Sequence, residues 1–184
     1  MSITRSTVPD ADSRQVVVDA LHWLWSCQLQ IGRLAESTRI EWSGPLDTNH
    51  DPRRLFSRTS LDEHLVLVVG RNLVRALDQL RKEHPDIGLG KDVEDVIRLL
   101  RNVYEHWDEN VPPFDLESKV KNRGVRALNT VRPDARPWSI TYGSDGPVIG
   151  GVLALRDLVL QLEALERILL ELERQSRPVR ANAG

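Results

Sequence analysis

Apolar residues recur along this chain at helical spacing in four separate stretches. In the first, Val16, Ala20, Trp23, Cys27, Ile31 and Leu34 follow one another at three to four residues, the repeat of one face of an α-helix. Val17, Leu21 and Leu24 form a second stripe beside it. A helix apolar on two sides is covered from two sides, by the rest of the fold or by a second subunit. Asp12 and Ser13 offer caps for this helix, which is expected to run to about residue 36. Residues 1–12 and 176–184 are polar and expected to be flexible.

Turn-forming residues (Ser43-Gly44-Pro45, His50-Asp51-Pro52) mark 37–60 as a long loop, made locally basic by Arg53, Arg54 and Arg58. Loops of that length in a compact domain are often functional. Ser60 with Glu63 reads as a capping box that opens a second helix over 61–82. Its apolar positions continue through Leu73, Ala76, Leu77 and Leu80, too far for a strand. Gly88 to Lys91 reads as a helix-connecting turn, with anion binding as a second reading. A third helix is expected over 91–109, with Val93, Val96, Ile97, Leu100, Tyr104 and Trp107 inward, ended by Pro112 and Pro113.

A short helix is expected around 115–122. Alternation in 138–142, a turn at Gly143 to Gly146, and Val148-Ile149 then predict a small β-hairpin. Leu155, Leu158, Leu162, Leu165, Leu169 and Leu172 repeat as a heptad seam in a last helix over 151–175. The expected fold is all-α: an antiparallel four-helix bundle with a small β-hairpin inserted before the last helix, residues 1–184 forming one domain.

Composition narrows the function classes. A net charge of −2 leaves no global basic field, so a nucleic acid must be met by a local patch. The single Cys27 excludes an intrachain disulfide, and its place in an apolar stripe predicts a buried thiol. No cofactor and no metal centre are expected, because paired Glu-x-x-His sets and nucleotide-binding glycine loops are absent. No apolar leader opens the chain, and its longest apolar run, Leu65 to Val69, is far short of a membrane span. A cytoplasmic protein with no membrane partner is expected.

The segment Arg101-Asn102-Val103-Tyr104-Glu105-His106 carries the chemistry. Asn102 and His106 are four apart and share a helix face, while Arg101 flanks the same groove. An imidazole can move a proton to or from a hydroxyl near neutral pH, and a guanidinium can stabilise charge on a phosphorane. Arg58 and His64 show a similar spacing, across a loop and a helix start. Structural roles account for the same residues: Arg101 pairing with Glu105 at i+4, His106 as a cation at the helix end, and Tyr104 and Trp107 as core.

Arg followed by a polar residue, with His a few positions on near a helix end, resembles the ribonuclease motif of HEPN (higher eukaryotes and prokaryotes nucleotide-binding) domains. The resemblance implies a helical bundle and a metal-independent endoribonuclease, a toxin or phage-defence effector. It would act as a homodimer, with RNA as substrate, a cognate antitoxin as partner and 2′,3′-cyclic phosphate ends as products. Arg101 would bind the phosphate, Asn102 orient, and His106 act as general acid and base. The alternative is a non-catalytic helical module that dimerises and binds a protein or a nucleotide.

Overall fold

The computed structural model describes residues 11–42, 52–105, 129–130, 132–133, 140–143 and 146–177. Helix α1 spans Ala11–Trp42, α2 Pro52–Leu80, α3 Lys91–Glu105 and α4 Leu155–Gln175. Between α3 and α4 lie three strands: β1 (Ile140–Gly143), β2 (Gly146–Ile149) and β3 (Leu153–Ala154). The described chain is therefore mostly helical, with a small antiparallel sheet ahead of the last helix. Among these residues no helix is long and apolar enough to cross a membrane.

Both stripes of α1 are inward. Ala20, Leu24, Cys27, Ile31 and Leu34 are buried, as are Val17 and Leu21, whereas Trp25 and Leu29 stay exposed. The helix starts at Ala11, so Asp12 and Ser13 lie within it and do not mark its beginning. Nor does it end near Glu36. Ser37 and Thr38 are weak helix formers because their hydroxyls compete for backbone groups, yet here both are satisfied. The Thr38 hydroxyl donates to the Leu34 carbonyl at 2.9 Å, and Ser37 donates to the Asp62 carboxylate at 2.6 Å.

The expected 37–60 loop is shortened from both ends. Helix α2 begins at Pro52, since proline lacks only an N–H that the first turn leaves unused. Ser60 is consequently inside a helix and cannot cap one. Glu63 is also no capping partner: it is buried at 2% exposure and accepts a hydrogen bond from the Tyr104 hydroxyl. The 115–122 helix and the end of the third helix beyond Glu105 lie outside the described residues.

Side-chain bonds fix how the helices run. Ser37 meets Asp62 where α1 ends and α2 begins, and Arg14 reaches Glu173 where α1 begins and α4 ends, at 3.7 Å. Trp25 and Gln28 both donate to Glu166, at 2.7 and 3.0 Å. Helix α3 returns along α2, with Arg81 bound to Glu94 near one end and Glu63 to Tyr104 near the other. Each of these pairs is antiparallel.

The turn between α2 and α3 is occupied by protein. The Glu94 carboxylate accepts from the Leu89 amide at 3.1 Å and pairs with Arg81. Gly88 to Lys91 therefore works as a helix connection. Leu67, Leu73, Leu77, Leu100, Leu162 and Leu169 are wholly buried between the helices, each burial worth roughly 1.5–3 kcal/mol.

In place of a two-stranded hairpin there are three strands in the order β1-β2-β3, both pairs antiparallel. Ile140 pairs with Ile149, and Ile149 with Leu153. Leu153 and Ile149 are buried, which anchors the sheet to the helices and supplies the packing that an isolated hairpin lacks. Gly150 makes the turn with φ +61°, its Cα side close against Leu100.

Candidate functional site

Helix spacing places Val68, Arg71, Asn72 and Arg75 along one face of α2. Arg98, Arg101, Asn102 and Glu105 share a face of α3 in the same way. Because the two helices run antiparallel, these polar faces meet and enclose a cavity of about 390 Å³. Four guanidiniums and two amides therefore line it, with Glu105 as its one lining carboxylate among the described residues.

The arginines are not equivalent. Arg98 is held by Asp78, Asp95 and Glu94 at 3.1, 3.2 and 3.4 Å, so its charge is already countered. Arg101 has a side chain only 16% exposed and pairs through one nitrogen with Glu105. Its other terminal nitrogen, Nη1, is buried and has no hydrogen-bond partner. Arg71 Nη1 is in the same condition. Arg75 is exposed and forms no hydrogen bond or ion pair among the described residues.

Electrostatics follow from that geometry. Burial holds the Arg101 guanidinium below its ordinary value, and the nearby Arg75 charge adds to the effect. Burial likewise lowers Arg71, with Arg75 and Arg98 pushing the same way and Asp78 opposing. Buried N–H donors without acceptors are uncommon and costly in folded proteins. Two of them on like-charged groups around one cavity make a place where an anion lowers the energy. Oxyanions with several acceptor oxygens, phosphate above all, suit guanidinium forks best.

Arg101 and Asn102 thus line one cleft, Asn102 in contact with solvent. His106 lies outside the described residues, and so does the Arg58 side chain. His64, however, comes close to the motif arginine. Its ring centre is 6.0 Å from that of Tyr104, and its imidazole is held below the usual range by burial first and by the Arg101 charge second. It sits one turn before Val68, where the cleft continues along α2. The i+4 pair of Arg101 with Glu105 is present, Tyr104 is in the core at 6% exposure, and Trp107 is outside the described residues.

Beneath this end of the cleft lies a buried polar layer. Burial pushes Glu63 up to about 7, against the lowering effect of the Tyr104 hydroxyl. Asp62, buried beside it, binds Ser37 and lies 3.7 Å from Arg33. Cys27 is buried within α1's core stripe, its thiol pushed up to about 12 by burial. Among the described residues no three His, Cys, Asp or Glu side chains gather as a metal site would require.

Sequence reasoning missed Arg71, Asn72 and Arg75. Their signal was present, since an Arg-Asn-x-x-Arg run puts two cations and an amide on one helical face. Nothing in the linear pattern says that this face meets Arg101. Neither a family model nor a curated protein nor a solved structure matches this chain.

Proposed function

We propose that the chain is a HEPN-like, metal-independent endoribonuclease whose active site opens on the α2–α3 cleft. The observation that supports it most is Arg101, which lines a cavity with Arg71 and Arg75 and keeps its Nη1 buried without an acceptor. In this reading the scissile phosphate of RNA binds to Arg101. His106 takes the proton of the 2′-hydroxyl, the 2′-oxygen attacks phosphorus, and Arg101 offsets the charge that builds on the phosphorane oxygens. The bond to the 5′-oxygen breaks, that oxygen takes up a proton, and 2′,3′-cyclic phosphate and 5′-hydroxyl ends result. Asn102 orients the imidazole or a phosphate oxygen.

The antiparallel runs of α1 on α2, α1 on α4 and α2 on α3 support closure as an antiparallel four-helix bundle. Two motif helices meeting in a homodimer would double a site that each chain furnishes sparsely. A cytoplasmic toxin or defence effector held by an antitoxin protein is the biological setting that the motif suggests.

One observation favours a second reading. Glu105 already occupies part of Arg101, as it would in a non-catalytic helical module that binds a nucleotide or a protein. Cleavage of single-stranded RNA in EDTA separates the two. The nuclease gives cyclic phosphate ends with the wild type and loses that activity in both Arg101→Ala and His106→Ala. Cleavage that survives in both variants, or is absent from the wild type, removes the catalytic reading.

A further inference from the structure

The motif accounts for the α3 wall of the cleft and leaves its α2 wall without a role. That wall is no ordinary solvated face. A surface arginine normally finds a carboxylate or points all its nitrogens to water. Arg71 instead keeps Nη1 buried without an acceptor, on a guanidinium side chain that lines a cavity together with Arg75, Arg98 and Arg101. Arg75, with no partner among the described residues, raises the electrostatic cost at Arg71 and at Arg101 alike. Fixed positive charge arranged this way destabilises the empty fold and is relieved by one bound anion. Two amide side chains, Asn72 and Asn102, border the same space and can donate to its oxygens.

Glu105 supplies the other half. It is the carboxylate that enters the cavity lining, and it pairs with Arg101 from a side chain 50% exposed. A half-exposed carboxylate can turn to water at small cost. Arg101, at 16% exposure, cannot follow it. An incoming oxyanion therefore meets a site whose own counterion is the part free to leave.

We propose that Arg71 and Arg75 of α2 form, with Arg101, a three-guanidinium site for a phosphodiester group of single-stranded RNA, and that Glu105 is the internal anion that this group displaces. The inference rests on reading the cleft as the RNA site, and it assigns to α2 a binding role that the motif does not contain. Glu105 then acts against binding: it keeps Arg101 in place in the empty protein and must be expelled when RNA enters. Guanidiniums recognise the phosphate oxygens, so inorganic phosphate shares the chemistry and competes for the site.

The test is binding of a fluorescein-labelled single-stranded RNA that carries 2′-O-methyl groups and so cannot be cleaved, in EDTA, with inorganic phosphate as competitor. Arg71→Gln and Arg75→Gln are each expected to weaken binding about tenfold or more, the worth of a charge-assisted hydrogen bond. Each should also flatten the dependence of log affinity on log salt by about 0.7. Glu105→Gln is expected to tighten binding roughly two- to fivefold, the worth of a half-exposed ion pair. Phosphate should compete with the RNA in the wild type, and less effectively in Arg71→Gln.

Affinity and salt slope unchanged in both α2 variants would overturn the proposal, as would a Glu105→Gln protein that binds more weakly. A wild type that binds neither probe overturns it too. Arg75 is exposed, so Arg75→Gln decides the matter even where Arg71→Gln unfolds, which circular dichroism reports. The nuclease reading is scored separately. RNA bound with these signatures but never cleaved sinks catalysis and keeps the site, whereas cleavage with KM unchanged in the α2 variants sinks the site and keeps catalysis.

Discussion

Glu63 is a buried carboxyl whose ionisation the fold resists, and its replacement by glutamine gives a quantitative expectation. Burial raises it from 4.5 to about 7. One unit corresponds to about 1.4 kcal/mol, so ionising it within the fold costs about 3 kcal/mol relative to the unfolded chain. The sign follows from proton uptake. Between the two values the folded protein holds a proton that the unfolded chain has released, so stability is full below the ordinary carboxyl value and is lost as pH rises through 7. Glu63→Gln removes the titration and keeps a carbonyl oxygen for the Tyr104 hydroxyl.

The two proteins should therefore be close in stability near pH 5. The wild type should then lose about 2–3 kcal/mol relative to the variant by pH 8. His64, held low by burial and by Arg101, works in the opposite sense, because its contribution is present above its ordinary value and fades as pH falls. It is common to both proteins and cancels in the difference. Urea unfolding followed by far-ultraviolet circular dichroism at intervals from pH 5 to 8.5 gives both curves. Parallel curves across that range would refute the reasoning.

Other expectations are independent of the cleft. Burial holds the Cys27 thiol up to about 12, so a thiol reagent at pH 8 should leave the native protein unlabelled and react rapidly once urea unfolds it; stoichiometric native labelling would contradict the packing of α1. Gly150→Ala sets a Cβ at φ +61° within 2.6 Å of a Leu100 methyl, which should lower stability by about 1–2 kcal/mol or more and reduce Tm. Gly32→Ala meets nothing within 4 Å in the middle of α1 and should raise stability by about 0.5–1 kcal/mol. Equal melting temperatures for the two glycine variants would contradict at least one of these assignments.

The helices were legible where one apolar face repeats without interruption. The Val16, Ala20, Trp23, Cys27, Ile31 and Leu34 positions of α1 and the leucines of α4 needed only a count of spacing, although Val16 and Trp23 are half-buried at the margin of the core. Helix ends were not legible in the same way. Ser37 and Thr38 look like a stop, and only Asp62 and the Leu34 carbonyl, brought near by folding, make them acceptable in a helix. Pro52 reads as a turn unless one knows that it opens α2. Glu63 looked like a surface cap because charged side chains are seldom buried, and its partner Tyr104 stands 41 residues away.

The site divides in the same way. Arg101 and Asn102 could be picked out by their spacing from His106 along one helical stretch. Arg71, Asn72 and Arg75 could not be joined to them, since which faces of α2 and α3 meet is a property of the packing. Glu105 was legible as an i+4 partner for Arg101 but not as the lining of a cavity. The third strand escaped notice because two residues, Leu153 and Ala154, carry no alternation to read.

Occupancy of the α2–α3 cleft by RNA is read most directly in a nuclear magnetic resonance titration that follows arginine side-chain Nε–Hε signals as the uncleavable RNA is added in EDTA. Arg71, Arg75 and Arg101 should shift together and saturate at one affinity. Arg174 and Arg177, paired with Glu171 and Glu173 at the end of α4, should stay where they are. Shifts confined to Arg174, Arg177 or other arginines outside the cleft, with the cleft signals unmoved, would contradict it.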